Sequence, residues 1–192
     1  MRVVYIKDSR SKGYIRIGID DGERLDLTVS ESVYTAAGSP MTRDFLSEEA
    51  VDLLRSADAE YRARSKALSI LSYGDNSPRM LSLKLSRAGF SKELIESTVG
   101  EMISLGYINT SRQLDRLIQN EVQIRLTGPR KLVPKLISKG YSRADINDAI
   151  ERLSDEGKID FERSRRLLIE KNCGKDDGEI KKILFKNGYS VC

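Results

Sequence analysis

Displacing the sequence by 51 residues lays positions 78–109 over 129–160 without a gap, and ten of the 32 paired positions are identical. Nothing else constrains the fold of this chain as strongly, because a phrase written twice folds twice. Each shared residue has a physical reason. Pro78 and Pro129 suit the first turn of a helix, where a missing N–H costs nothing. Leu81 and Leu85, like Leu132 and Leu136, stand four apart and form one apolar stripe. Gly89 and Gly140 end that helix in the left-handed conformation. Phe90 and Tyr141 then turn into the core, and Ser91 and Ser142 cap the next helix. That helix carries Ile95, Val99 and Met102 in one copy and Ile146, Ile150 and Leu153 in the other. Gly106 or Gly157 closes it, Ile108 or Ile159 tucks back inward, and Asn109 or Asp160 starts a further helix. Each unit therefore reads as three short helices, none able to bury its apolar face alone; stacked units share that burial.

A third copy begins at Ile180. "IKKILFKNGYS" matches "LVPKLISKGYS" at an offset of 48, with Ile180, Leu184, Gly188, Tyr189 and Ser190 in the expected places. The sequence stops at Cys192, where the last helix of that unit would begin. The expectation is a third unit that lacks this helix or is completed by something else.

Before residue 47 the period is two instead of 3.6. "YIRIGI" sets Ile15, Ile17 and Ile19 on one side, "LDLTV" does the same with Leu25, Leu27 and Val29, and "DDGE" between them is a turn former. "VVYI" at 3–6 supplies a third strand. A meander this small needs a helix over its apolar face. "SESVYTAAG" reads as a short helix stopped by Gly38, with Pro40 marking the break. Ser47 caps a helix carrying Ala50, Val51, Leu53 and Leu54, and a second helix follows with Tyr61, Leu68 and Leu71 on its buried side, ending near Gly74. The expected fold is mainly α, with tandem three-helix repeats in an elongated curved array preceded by a small antiparallel β-meander. Its expected divisions are 1–46 (β-rich), 47–74 (linking helices into the first repeat), 75–109 (the rest of that repeat), 110–160 (second repeat) and 161–192 (third repeat).

Composition removes whole function classes. The chain has no histidine, which excludes Ser-His-Asp and Cys-His catalysis and most zinc chemistry. Neither GxxxxGK[ST] nor GxGxxG is present. The carboxylate pairs Asp20–Asp21 and Asp176–Asp177 sit beside glycines, where turn chemistry explains them. No enzyme, cofactor or metal is expected. Cys173 and Cys192 stand at no metal or redox spacing, Cys173 reading as a small core residue, so a reducing cytoplasmic setting is expected. No stretch reaches the length of a membrane span, and "MRVVYIKDSR" lacks the apolar run of a signal peptide. Net charge is +4, unevenly placed: residues 1–66 carry 11 basic and 12 acidic groups, residues 67–192 carry 22 and 17. That surplus favours a polyanionic partner.

Lys131, Lys135 and Lys139 stand at i, i+4 and i+8, one face of one helix, with Arg125 and Arg130 flanking its start. The matching helix of the first unit carries Arg79, Lys84 and Arg87, and that of the third Lys181, Lys182 and Lys186. Aligned basic faces would make a strip for phosphates or an acidic protein surface; solvated lysines that merely keep a helix soluble fit the same pattern. "RSRRLL" at 163–168 is the densest basic run, and Glu162 and Glu170 can neutralise it on its own helix. Phe90, Tyr141 and Tyr189 read as core residues, not base-stacking platforms. Tyr107, opposite Lys158, is expected to be more exposed.

The phrases "GYIN", "GPRKL..KLISKG" and the recurring Gly–aromatic corners resemble the tandem three-helix motifs of the RecX family of recombination regulators, over nearly the whole chain. One departure follows "GYIN", where the family's acidic and aromatic residues are replaced by Thr110 and Leu114; Leu114 keeps the apolar character. The resemblance implies a cytoplasmic, monomeric protein of DNA repair and the SOS response. It implies binding to the RecA–DNA filament in its helical groove, suppression of strand exchange and ATP hydrolysis, and only weak non-specific contact with single- or double-stranded DNA. The alternative is a free-standing DNA-binding module of helix-turn-helix type, since small three-helix units also carry such readers.

Overall fold

The computed structural model describes residues 1–20 and 22–190; Asp21, Val191 and Cys192 lie outside the described residues. The chain is mainly helical, preceded by a three-stranded antiparallel sheet. It forms two compact units, one of Met1–Ser72 with Leu85–Thr98, the other of Tyr73–Lys84 with the chain from Val99 onward.

In the first unit β1 (Arg2–Asp8), β2 (Tyr14–Asp20) and β3 (Arg24–Ser30) form the expected meander. Ile17 faces Leu27, Ile15 faces Val29, and β1 is irregular between Val3 and Tyr5. Helix α1 (Glu31–Ala36) starts at Ser30, whose hydroxyl accepts from the Val33 N–H, and stops before Gly38. The covering helix is α2, a single 25-residue helix from Glu48 to Ser72 where the sequence pattern predicted two. No glycine or proline interrupts that stretch, so nothing in it stops the helix. Val51 and Leu54 join Val3, Ile17, Ile19, Leu27 and Val29 in one core. Further along, the fully buried side is Ala63 and Ala67, while Tyr61, Leu68 and Leu71 are half-buried. The Tyr61 ring lies 4.8 Å from that of Tyr14.

Side chains of α2 also close the outer edge of β3. Asp58 accepts the Thr28 N–H at 2.7 Å, and Arg62 donates to the Asp26 carbonyl at 3.2 Å and pairs with Asp58 at 2.7 Å. An open strand edge is a template for pairing with another chain; here two residues one helical turn apart occupy it.

The repeats supply the remaining helices: α3 (Pro78–Arg87), α4 (Lys92–Ser104), α5 (Thr110–Gln119), α6 (Pro129–Ser138), α7 (Arg143–Asp155), α8 (Phe161–Glu170) and α9 (Asp177–Lys186). The expected caps are present, with Ser142, Asn109 and Asp160 accepting from backbone N–H groups of the first turns they precede. In the second unit Leu114, Ile118, Leu132, Leu136, Tyr141, Ile146, Leu153 and Ile159 form one core, each large apolar side chain contributing about 1.5–3 kcal/mol by its burial. A π-helical turn, Asn120–Ile124, prolongs α5. It turns both Glu121 and Val122 into the interior. Cys173 is exposed, not a core residue, because it falls in the loop between α8 and α9.

Successive repeats in the second unit meet at matching places, through a side-chain hydroxyl donor in one case and a backbone N–H donor in the other. The Ser77 hydroxyl donates to the Lys139 carbonyl at 2.7 Å, and 51 residues on, the Gly128 N–H donates to the Asn187 carbonyl at 2.7 Å. Each places the Gly–aromatic–Ser corner of one repeat on the first turn of the middle helix of the repeat before it. The fit is tight. A Cβ on Gly188 would lie 2.5 Å from the Lys131 Cβ and 2.6 Å from its amide nitrogen, and one on Gly140 would lie 2.6 Å from the Ser77 hydroxyl. Those two glycines thus serve a left-handed backbone and a close approach together.

Candidate interaction surface

The basic residues singled out from the sequence divide into engaged and free. On α6, Lys135 donates to Glu121 at 2.7 Å, and Lys131 donates to the Lys186 carbonyl at 3.2 Å. Lys139 is exposed, with no side-chain partner among the described residues. Arg130 is exposed, and its N–H donates to the Gly188 carbonyl. Arg125 pairs with Glu121 at 3.2 Å. On α3, Lys84, the counterpart of Lys135, donates to Asn76 at 2.6 Å. Arg79 is exposed at its head while its stem lies against the Gly140 corner; Arg87 is exposed and belongs to the first unit. Lys181, Lys182 and Lys186 are exposed on α9 but take the places of Val133, Pro134 and Ser138, so their charge lies on a different side of the helix from that of Lys135 on α6. In the 163–168 run, Arg165 lies 3.9 Å from Glu162, and Arg163 and Arg166 are exposed.

Glu121 is the residue the sequence reading missed. It is buried in the π-turn and accepts from Lys135, from the Thr127 hydroxyl at 3.0 Å, and from Arg125. Burial by itself would raise its carboxyl. The bonds from Lys135 and Thr127, with the charges of Lys135 and Arg125, outweigh that and hold it below the usual glutamate range. Lys84 thus ties down the loop that precedes its own helix and Lys135 the π-helical turn that prolongs α5, so both lysines are held by contacts within the chain. Two further ion pairs bind elements within this unit, Arg116 with Asp75 and Arg152 with Asp115.

A second pattern repeats. The turn that closes the third helix of one repeat and opens the first helix of the next borders a cleft of about 280 Å³, lined by Gly106, Tyr107, Asn109, Arg112 and Arg116. Fifty-one residues later a cleft of about 270 Å³ is lined by the matching Gly157, Lys158, Asp160, Arg163 and Leu167. Arginine keeps its place in both; Tyr107 and Lys158 mark where they differ. Tyr141 and Tyr189 are buried, as their corner positions predict, and Phe90 is half-buried.

No described helix is long and apolar enough to cross a membrane. No family model matches the chain. The regulatory protein RecX of Lactobacillus johnsonii is 28% identical over 159 residues, covering 82% of this chain and 57% of its own length. The regulatory protein RecX of Clostridioides difficile is 25% identical over 171 residues, 85% of this chain and 79% of its own. That of Listeria welshimeri is 24% identical over 186 residues, 94% and 69%. Among solved structures, a crystal structure of a regulatory protein RecX superposes with a TM-score of 0.69 at 21% identity, covering 98% of this chain and 94% of that one. RecX from Lactobacillus salivarius gives 0.58 at 20% identity, covering 70% and 91%. With curated relatives of one name along most of the chain and the same fold in solved structures, the chain is similar in sequence and in fold to the regulatory proteins RecX.

Proposed function

We propose that this chain is a non-catalytic regulator that binds a RecA recombinase filament on DNA and restrains its strand exchange and ATP hydrolysis in the cytoplasm, as part of DNA repair. The observation that carries the reading, beside that similarity, is the corner-on-helix junction found at matching places one repeat apart. Repeats joined through a recurring junction can offer contact sites at intervals along the chain, and a filament of identical subunits offers sites at intervals too. Contacts weak singly then add through their linkage. Bound along the filament, the chain would act sterically by occupying the path of the second DNA. The cationic surplus of residues 67–192 would add weak, sequence-independent attraction to DNA.

The test is an ATPase and strand-exchange assay with the cognate recombinase, run beside a DNA-only titration. Inhibition at amounts well below one chain per recombinase subunit is the expected result. Tight, sequence-selective DNA binding without inhibition would replace this reading with that of a free-standing DNA-binding module.

A further inference from the structure

We infer that the C-terminal end of α4 and the turn after it form a protein-docking surface, built from Ile103, Leu105 and Tyr107, for a partner segment that sets an apolar side chain beside a carboxylate. These three residues are 45%, 59% and 55% exposed, within five consecutive positions. The fold does not ask for them. At the same positions of the next repeat stand Ser154, Glu156 and Lys158, all exposed, on a turn whose glycine has a similar left-handed φ (+67° at Gly157, +76° at Gly106). There the surface satisfies itself. Lys158 pairs with Glu156 at 2.7 Å, Glu156 lies 3.8 Å from Arg152, and the Gln123 amide donates to the Lys158 carbonyl at 2.5 Å. The first copy replaces that closed ionic corner with two aliphatic side chains and a tyrosine.

The occupant follows from the chemistry. Isoleucine and leucine hold no phosphate and offer no aromatic stacking face, so an exposed pair of them favours a protein surface, which gains through desolvation. The cleft beside Tyr107 carries two arginines. Arg116 is taken by Asp75, while Arg112 makes no ion pair among the described residues. One free cation at the rim of an apolar patch selects a carboxylate on the partner. Tyrosine and arginine are also the residue types that most often dominate protein interfaces. This surface rests on the proposed function in one respect: the partner segment belongs to the recombinase protomer.

The decisive variant combines Ile103→Ser, Leu105→Glu and Tyr107→Lys. These are the residues the second copy already carries at this turn, and the exchange leaves net charge unchanged. Filament binding and bare single-stranded DNA binding are measured side by side by fluorescence anisotropy, with circular dichroism and a thermal melt to check the fold. The expected result is a loss of about tenfold or more in filament affinity with DNA affinity held within about twofold. A second variant, Arg112→Glu, changes one exposed side chain and decides the matter if the triple variant fails to fold; it should weaken filament binding several-fold. Wild-type filament affinity in these variants, or an equal loss toward filament and bare DNA, overturns the docking surface alone. A wild-type chain that does not bind the filament overturns the proposed function and this surface together.

Discussion

A glycine with positive φ does one job at Gly157 and two at Gly188. Around Gly157 the space for a Cβ is open, so Gly157→Ala should cost only the left-handed backbone, about 1–2 kcal/mol. Gly188→Ala adds a Cβ against the backbone of Lys131, and overpacking contributes about 1–3 kcal/mol more. Chemical denaturation should separate the two midpoints clearly; coincident midpoints would mean that the corner does not rest on α6. Glu121 makes a prediction of the opposite kind, read along pH. Its folded carboxyl is held below the usual glutamate range, so its contribution is complete above the unfolded value of about 4.3. It is lost as pH falls through the depressed folded value. Glu121→Gln, which cannot ionise, should be less stable than the wild type by about 1.5–3 kcal/mol at neutral pH. The gap should narrow on acidification, and a gap constant with pH would mean that the charge of Glu121 is not what holds Lys135 and Arg125.

Among the elements, α2 contributes more than a cover for the sheet, because Asp58 and Arg62 satisfy the β3 edge. Asp58→Ala would leave the Thr28 N–H without its acceptor, at about 1–3 kcal/mol, and open the edge. Lower stability together with concentration-dependent self-association in size-exclusion chromatography is the expected outcome, and a purely monomeric variant would show that the edge is protected some other way. None of this is legible in the sequence, since Asp58 and Thr28 are thirty residues apart and neither belongs to a periodic pattern. The meander, the caps and the repeat are legible because each is written in local spacing: alternation for Ile15, Ile17 and Ile19, and a Gly–aromatic–Ser corner for the helix junctions. What those corners rest on is not, because a glycine chosen for φ and a glycine chosen for close approach look the same in sequence. No residue between 48 and 72 marks a helix end, so the expected division into two helices has no stop signal behind it; Tyr61 is half-buried, and the deeply buried positions downstream are alanines, which carry little periodic signal. The π-turn has no sequence signature either. It surfaces only through Glu121, a buried acid whose partners Lys135 and Arg125 read as outward-facing from spacing alone.

At the scale of the whole molecule, the formal charge of +4 misstates what a polyanion would meet. Lys135, Arg125, Arg116 and Arg152 are each committed to a carboxylate of the same chain. Such pairs contribute little to an external field, whereas Lys139, Lys181 and Lys182 are exposed with no ion pair among the described residues. Counterion release distinguishes the two groups, because only a side chain that neutralises a phosphate alters the salt dependence of binding. Lys139→Ala, Lys181→Ala and Lys182→Ala should each reduce the slope of log affinity for single-stranded DNA against log salt by about 0.7 for every phosphate the lysine had neutralised. Lys135→Ala should leave that slope unchanged and appear instead as lower stability, since it strips a buried carboxylate of its nearest cation. A Lys135→Ala chain that folds normally and shows the flattened slope would return this lysine to the DNA-facing set and require Glu121 to be held by Arg125 and Thr127 alone.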